Sequence, residues 1–479
     1  MARSGQPDLV AGPIGRTLFA FALPTLGSNI LQSLNGSINA VWVGRLLGED
    51  ALAATSNANL VMFLMFGAVF GFGMAATILI GQAFGRGDVD GARRAFGSAI
   101  GLVLAASAVV AALGWWFARD ILTLLATPRA ALPLAEAYLR VMFLGLPASM
   151  TMVLASMALR GAGDSLTPLW FMVVFVVLDA LLNPVLILGL GPAPAMGIAG
   201  SGWATLIAGG VSLLALAAWI NARDLPIRLR GAELAFLRPA AALTRTIVAK
   251  GLPIGAQMLV ISVASLAMVG LVNREGVATT AAYGVTLQIW AYVQMPALAI
   301  GAAVSAMAAQ NIGAGRWDRV ARITRDGIIG NVGMTGVLIL LVLLFDREAL
   351  ELFLGADSAA VPIGRRIGLI ATWSFLLFGA TMVLFGVVRA NGAVWVPLLI
   401  LFLAMFPVRL GFALALRPAL GADALWWSFP LGSAATLAGS ALYYRYGAWR
   451  RGALVREPAM AEAEARETCE PAGGVTPAR

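Results

Sequence analysis

Histidine is absent from the 479 residues of the chain, and cysteine occurs once, at Cys469. These absences exclude a metal site or proton relay built on histidine, and a framework of internal disulfides. Charge is scarce as well: Asp, Glu, Lys and Arg together make up 12% of the residues, about half the share found in soluble proteins. Hydrophobic residues make up 60%, so the composition excludes an ordinary soluble domain.

Hydrophobic runs recur along the whole chain, and at about 20 residues they are long enough to cross a bilayer core of about 30 Å. The short alternating segments of a membrane β-barrel do not occur. The sequence therefore predicts an all-α polytopic membrane protein. We place its twelve transmembrane helices at residues 18–43, 51–80, 95–117, 138–158, 168–190, 198–220, 246–272, 279–309, 322–345, 363–388, 394–417 and 424–446.

The positive charges indicate how these helices are oriented. Most of the 33 Lys and Arg residues lie in the two terminal segments and in the connections on the same side of the membrane, and cytoplasmic segments carry such an excess. We therefore predict a multi-pass protein of the inner (plasma) membrane with both termini in the cytoplasm. The net charge of +9 does not indicate a nucleic-acid partner, because the arginines are spread over many short connections.

Three ordered matches relate the two halves of the chain, at an offset of 228 or 229 residues. They pair Leu23-Pro24 with Leu252-Pro253, GQAFGRGDVDGARRA with AQNIGAGRWDRVARI, and LRGAGDSLTP with VRANGAVWVP. Because six helices separate the partners, both halves have the same orientation, which predicts two six-helix lobes related by a pseudo-two-fold axis along the membrane normal. The predicted domains are an N-terminal lobe (1–220), a cytoplasmic linker with room for a surface helix (221–245), a C-terminal lobe (246–451) and a disordered cytoplasmic tail (452–479).

An aspartate stands inside the fifth predicted helix, in FVVLDALLNPVLILG. A charge at the bilayer centre costs about 2.5–3.5 kcal/mol on insertion scales, and such residues usually mark a route for ions or protons. Asp179 and Asn183 share one helix face, and Pro184 leaves the carbonyl of Ala180 without its helical donor. These groups predict a site for a proton or a small cation such as Na⁺, and a helix bend at Pro184. A structural aspartate bonded between helices is the alternative.

The first predicted helix carries a stripe of polar side chains on an otherwise hydrophobic surface. Four of them recur at three- or four-residue spacing and therefore share one face: Ser28, Gln32, Asn35 and Asn39. Such a stripe cannot face lipid, where its hydrogen bonds would be lost. We predict that it lines a watery cavity beside Asp179, with hydrogen bonding between helices as the alternative.

The second half of the chain is poorer in such signals. Amides and aromatic residues recur there, and these suit flat, hydrophobic, often cationic compounds. The predicted substrate cavity combines them with two polar residues of the first half: Asn35, Thr205, Gln257, Gln288, Trp290 and Tyr292. Ordinary packing is the alternative for each. Arg409 is the one charge deep in these helices, and snorkelling to an interface is its simplest explanation.

Several segments resemble the multidrug and toxic compound extrusion (MATE) family, over residues 12–450: INAVWVGRLLGEDALAA, GQAFGRGDVDGARRA, ALRGAGDSLTPL and LGLGPAPAMGIAGSGWAT. The resemblance implies a twelve-helix antiporter whose two lobes flank a central cleft. Such proteins exchange H⁺ or Na⁺ for organic, frequently cationic, drugs. The expected partners are thus small organic substrates, H⁺ or Na⁺ and the lipid bilayer, and we expect no cofactor.

The chain departs from the family pattern in the placement of its acids. Members commonly carry an acid in the first helix just before the VGR signature, where this chain has Asn39. In the fifth helix they commonly have Asn followed by Asp before a proline, where this chain has Asp179 and Asn183. Some members have a further carboxylate in the seventh helix, where this chain has Ile261. The resemblance therefore leaves Asp179 to couple transport, supported by Gln32, Asn39, Asn183 and Thr205.

Catalytic signatures are missing, among them an aspartate-rich prenyl-diphosphate motif, HExxH, Walker A and a nucleophile–base pair. We therefore predict that the chain is not an enzyme. The predicted function is export of hydrophobic cationic compounds by a cation-coupled antiporter with alternating access. Two alternatives stay open. One is a flippase for a lipid-linked precursor, which would favour a cationic cavity, and the other is a non-transporting membrane receptor or scaffold.

Overall fold

The computed structural model describes residues 8–125, 127–129, 131–191, 194–355 and 357–451, and at residues 64 and 68 the backbone alone. Within these ranges the regular elements are helices, and twelve spans overlap the twelve predicted helices. They are Ile14–Leu47 (span 1), Glu49–Arg86 (span 2), Val89–Trp116 (span 3), Leu132–Gly161 (span 4), Leu166–Leu188 (span 5), Ile198–Ala222 (span 6), Ala241–Val272 (span 7), Val277–Val293 with Met295–Gly313 (span 8), Trp317–Leu344 (span 9), Ala360–Ala371 with Ser374–Ala390 (span 10), Trp395–Leu403 through Gly411–Ala415 (span 11) and Asp423–Tyr446 (span 12).

Length and hydropathy by themselves identify nine membrane-crossing helices in the described ranges, or ten when the two segments of span 10, bent by 44°, count as one. Spans 1 and 12 are also long enough to cross a bilayer, with 34 and 24 residues. Spans 1 and 12 are not among the nine, because no stretch of 18 residues in either is hydrophobic enough. The predicted fold, all-α with twelve transmembrane helices in two lobes, is confirmed.

The two halves pack in the same way. In the N-terminal lobe, span 2 packs against spans 3 and 4, and span 5 packs against span 6. In the C-terminal lobe, span 8 packs against spans 9 and 10, and span 11 packs against span 12. The lobes meet where span 2 contacts spans 7 and 8, and where span 1 contacts span 8. The repeat read from the sequence therefore reappears as a repeat of helix contacts.

Two reciprocal hydrogen bonds join the lobes at the ends of spans 2 and 8. The amide of Gln82 donates to the carbonyl of Ala390 (2.7 Å), and the amide of Gln310 donates to the carbonyl of Gly161 (3.0 Å). Gln82 corresponds to Gln310 in the sequence repeat, and Gly161 corresponds to Ala390. The lobes are thus joined by one interaction that occurs twice.

Two glycines let the same helix ends approach each other closely. A Cβ atom at Gly85 would lie 2.0 Å from the carbonyl oxygen of Gln310, and one at Gly313 would lie 2.1 Å from the carbonyl oxygen of Gln82. Any side chain at either position would therefore push the helices apart. We call this contact the seam and define it by six residues: Gln82, Gly85, Gly161, Gln310, Gly313 and Ala390.

The segment that precedes span 1 is held by the C-terminal lobe. Asn311 donates to the carbonyl of Leu9 (2.9 Å), and Arg319 donates to the carbonyl of Gly12 (2.7 Å). The Leu9 side chain is buried. The start of the N-terminal lobe is thereby fastened across the seam, on the side where spans 2 and 8 end.

The connection between spans 6 and 7 contains a 3₁₀-helix, Gly231–Leu237, inside the predicted linker. It packs against span 3, and Glu233 pairs with Arg93 of span 3 (2.7 Å). The boundaries of the predicted lobes and linker stay predictions. The predicted disordered tail, 452–479, lies outside the described residues.

Candidate functional site

Asp179 lies in span 5 with no solvent exposure, and donors from three spans surround its carboxylate. Oδ2 accepts from the amides of Asn35 (2.8 Å) and Asn39 (3.1 Å), both on span 1. Oδ1 accepts from the hydroxyl of Thr205 on span 6 (3.0 Å) and from the amide of Asn183 on span 5 (3.1 Å). Both oxygens are therefore fully engaged by neutral donors.

Helical spacing explains why these donors converge. Asn35 and Asn39 are four residues apart on span 1, and Asp179 and Asn183 are four apart on span 5, so each pair presents two groups on one face. The two faces meet because span 1 packs against span 5. The Asn183 amide also donates to Asn39 Oδ1 (2.7 Å) and to the carbonyl of Asp179 (2.9 Å). The result is one polar network between the two helices.

The network has an excess of oxygen atoms. Asn35 Oδ1 and Asn183 Oδ1 are buried and accept no hydrogen bond within the described residues. Pro184 lies inside span 5, so the carbonyl of Ala180 lacks its usual donor. Carboxylate, amide and carbonyl oxygens are the ligands that hard cations take, and a carboxylate also takes a proton. These residues therefore fit the predicted site for Na⁺ or H⁺.

Within the described part of the chain, the charge of Asp179 is not balanced by a nearby basic side chain. Among the residues that the structure describes, no lysine or arginine forms an ion pair with Asp179. A buried charge that lacks a partner of opposite sign is costly in the membrane interior. A bound cation or proton would remove that cost.

Other polar residues that the sequence placed on this face of span 1 are not among the donors to Asp179. Gln32 is exposed on span 1 and is not one of the four donors to Asp179. Ser28, on the same stripe, is buried and donates to the carbonyl of Pro24 within its own helix. Span 5 runs as one unbroken helix past Pro184, so the bend at this proline stays a prediction.

The residues predicted to line a substrate cavity are not gathered on one surface. Asn35 and Thr205 lie beside Asp179, and Gln257 is buried in span 7 with its Nε2 atom unpartnered within the described residues. In span 8, Gln288 and Tyr292 are exposed. Trp290 is buried, donates to Thr372 (2.9 Å) and packs on other aromatic rings. Trp290 therefore belongs to the packed core of the C-terminal lobe.

Sequence reasoning missed a buried tyrosine on a helix beside the site. Tyr138 of span 4 is 3% exposed, and span 4 packs against span 6, which carries the donor Thr205. A single tyrosine in span 4 gave no periodic pattern, so only the packing of spans 4 and 6 identifies it. The role of Gln82 and Gln310 in the seam was also missed, although the repeat had aligned them.

The fold and this buried polar network together define a membrane transporter built from two parallel six-helix repeats. The family model described as MatE matches residues 24–185 and 253–414, one block in each half of the chain. The chain belongs to this family, and the predicted membership is confirmed.

Similar proteins agree with this assignment. "Probable multidrug resistance protein YoeA" of Bacillus subtilis is 34% identical over 445 residues, which cover 92% of this chain and 96% of that protein. "Probable multidrug resistance protein NorM" of Deinococcus radiodurans is 32% identical over 453 residues, covering 90% and 94%. A more distant relative is the "FAD transporter" of Shewanella oneidensis, 27% identical over 322 residues and covering 65% and 68%.

Solved structures show the same fold. A multidrug resistance MATE family transporter in an outward-facing conformation superimposes with a TM-score of 0.84 at 20% identity, covering 95% of this chain and 99% of that chain. A Vibrio cholerae MATE transporter, VcmN in the bent form, superimposes with a TM-score of 0.84 at 20% identity, covering 92% and 98%.

Proposed function

We propose that this protein is an antiporter of the inner membrane, with cytoplasmic termini, that exports hydrophobic cationic compounds in exchange for H⁺ or Na⁺. The observation that carries the proposal is the Asp179 site. A carboxylate without an ionic partner in the described residues lies mid-span, held by four neutral donors from spans 1, 5 and 6. Its relatives named as multidrug resistance proteins support organic compounds as the substrates.

Coupling follows from what a cation would do to the network. A proton or Na⁺ on the carboxylate competes with the donors Asn35 and Asn39, which are the direct links from span 1 to Asp179. Loading the site therefore changes how firmly span 1 is bound to span 5. A ligand shifts a conformational equilibrium only to the extent that it binds one state more tightly. In our proposal span 1 lies differently in the two states, and this difference supplies such a preference.

Span 1 also connects the site to the seam. It packs against span 8 of the other lobe, and Gln310 of the seam lies in span 8. In our proposal the state with a closed seam is open on the opposite side of the membrane. Alternating access would then require the two reciprocal hydrogen bonds of the seam to break and reform in each cycle.

The experiment is efflux of a fluorescent cationic dye from proteoliposomes under an imposed H⁺ or Na⁺ gradient. It compares the unmodified protein with Asp179→Asn and with Asp90→Asn, a matched control whose side chain is 79% exposed. We expect transport by the unmodified protein and the control and none by Asp179→Asn, and the effective gradient identifies the ion.

Two outcomes would contradict the proposal. Equal transport by Asp179→Asn and the unmodified protein would mean that Asp179 is structural. If none of the cationic dyes is transported, the proposed export of cationic compounds is wrong, and the lipid-precursor flippase or the non-transporting receptor is favoured.

A further inference from the structure

Arg409 of span 11 is an arginine inside the membrane without a carboxylate partner. In the part of the chain that the structure describes, it forms no ion pair, its Nε atom is buried without a hydrogen bond, and its Nη1 atom donates to the sulfur of Met405 (3.6 Å). Three other arginines of the same lobe are paired with acids: Arg365 with Asp346, Arg366 with Asp423 and Arg417 with Glu275. Arg389 of span 10 also forms no ion pair in the described residues, but its Nε donates to the carbonyl of Phe385 (3.1 Å), whereas the Nε of Arg409 has no acceptor.

The sequence repeat places Arg409 one residue after the counterpart of Asp179. The offset of 229 that relates Pro168 to Pro397 maps Asp179 onto Val408. Span 11 contains a π-helical segment, Ala404–Leu410, which begins after Pro397 and includes Arg409. A π-helical turn holds one residue more than an α-helical turn, and such turns are frequent at functional sites. That extra residue moves the counterpart of Asp179 from Val408 to Arg409.

Aromatic rings pack on one side of the Arg409 side chain. The guanidinium carbon of Arg409 lies 3.7 Å from the ring centroid of Phe429 in span 12. Phe429 in turn packs against Trp290 (5.0 Å) and Tyr283 (6.3 Å) of span 8. A cation over an aromatic face keeps its N–H groups at the ring edge free for an acceptor. The side chain as a whole is only partly buried.

We propose that Arg409 binds the anionic group, a carboxylate, of aromatic organic substrates in the C-terminal lobe. Guanidinium binds carboxylate through two parallel N–H···O bonds, and the aromatic wall suits the flat ring of such a compound. The N-terminal lobe then offers a negative site at Asp179 and the C-terminal lobe a positive one at Arg409. This inference rests on the proposed transport function and extends its substrates to zwitterions.

The test uses two dyes that differ by one charge. Tetramethylrhodamine carries a free carboxylate, and its methyl ester does not. Binding of each dye to the purified full-length protein is measured by fluorescence anisotropy, for the unmodified protein, Arg409→Met, Arg409→Lys and the control Arg347→Met, which removes an arginine whose side chain is 65% exposed.

Loss of a charge-assisted hydrogen bond predicts that Arg409→Met weakens binding of the free acid by about tenfold or more. We expect the ester to bind Arg409→Met as it binds the unmodified protein, and Arg409→Lys to retain part of the affinity for the acid. Arg347→Met should change neither. If Arg409→Met does not fold, Arg409→Gln replaces it, because glutamine keeps a donor but removes the charge.

Three results overturn the inference. They are an equal effect of Arg409→Met on both dyes, no effect on either, and no binding of the free acid to the unmodified protein. If the ester is still exported in these cases, the proposed transport function stands and only the Arg409 site fails. If neither dye is bound or exported, the transport proposal fails together with it.

Discussion

Replacing Gln82 and Gln310 by alanine should release the contact between the lobes. In the closed seam both amides donate to buried carbonyl oxygens, at 2.7 and 3.0 Å. Each substitution leaves one carbonyl, of Ala390 or Gly161, without its donor. When the seam opens, the same carbonyl reaches water, so the cost falls on the closed state alone.

The size of the effect follows from the burial of these groups. An unsatisfied buried acceptor costs about 1–3 kcal/mol, which corresponds to a change of about 5- to 150-fold in the equilibrium between closed and open seams. Because each glutamine lies close to the other, the two effects need not add in the double variant. Either single substitution should nevertheless give a measurable shift.

The seam can be followed with spin labels at Asp90 and Asp318, which are repeat-related and have side chains 79% and 68% exposed. Cys469 is first replaced by serine, which leaves a background without cysteine. Pulsed electron paramagnetic resonance in nanodiscs should then show a growing population of longer distances in Gln82→Ala and Gln310→Ala.

A matched control is Asn221→Ala, because this exposed amide donates to Ala217 within its own helix. It should leave the distance distribution unchanged. If the glutamine variants fold and give the same distribution as the background, the seam hydrogen bonds do not hold the lobes together.

Two further predictions concern the coupling site and the N-terminal segment. Thr205→Val removes one of the four donors to Asp179, so the ion concentration for half-maximal dye efflux should shift by about tenfold. Thr205→Ser keeps the hydroxyl, so this concentration should stay at the value of the unmodified protein. The same half-maximal concentration in both variants would argue against the role of the Thr205 donor. The backbone N–H of Ala11 lowers the pKa of Asp8 below its usual 3.8, with help from the N–H of Val10 and from Arg316 and Arg319. Because the folded-state pKa is lowered, the stabilisation is present above the usual pKa and is lost as the pH falls through the lowered value. Asp8→Ala should therefore reduce the melting temperature at neutral pH, but not at a pH below the lowered pKa, as measured by differential scanning fluorimetry. The same reduction at both pH values would mean that the stabilisation by Asp8 is not electrostatic.

Much of the fold could be predicted because the insertion of a helix into the membrane depends on the hydrophobicity of that segment alone. A lipid-facing helix needs a long run of hydrophobic residues, so the twelve spans are visible without any tertiary information. The repeat was equally visible, since it rests on matched segments at one offset. The polar faces of spans 1 and 5 followed from helical spacing alone.

Other features depended on partners that lie far away in the sequence. Spacing put Gln32 on the same stripe as Asn35 and Asn39, but only the crossing of span 1 over span 5 selects which of them reach Asp179. Likewise, Trp290 was grouped with exposed neighbours in span 8, whereas packing against Phe375 and Phe429 buries it.

The sequence by itself determined the class of protein, the number of its spans and the presence of an acid in the membrane. The tertiary structure decided what that acid contacts, how the two glutamines of the repeat join the lobes, and that Arg409 lies in a π-helical segment of span 11. The reason is physical. Hydropathy and helical periodicity are properties of single segments, whereas a hydrogen bond between lobes or a π-helical shift of register depends on how distant helices pack.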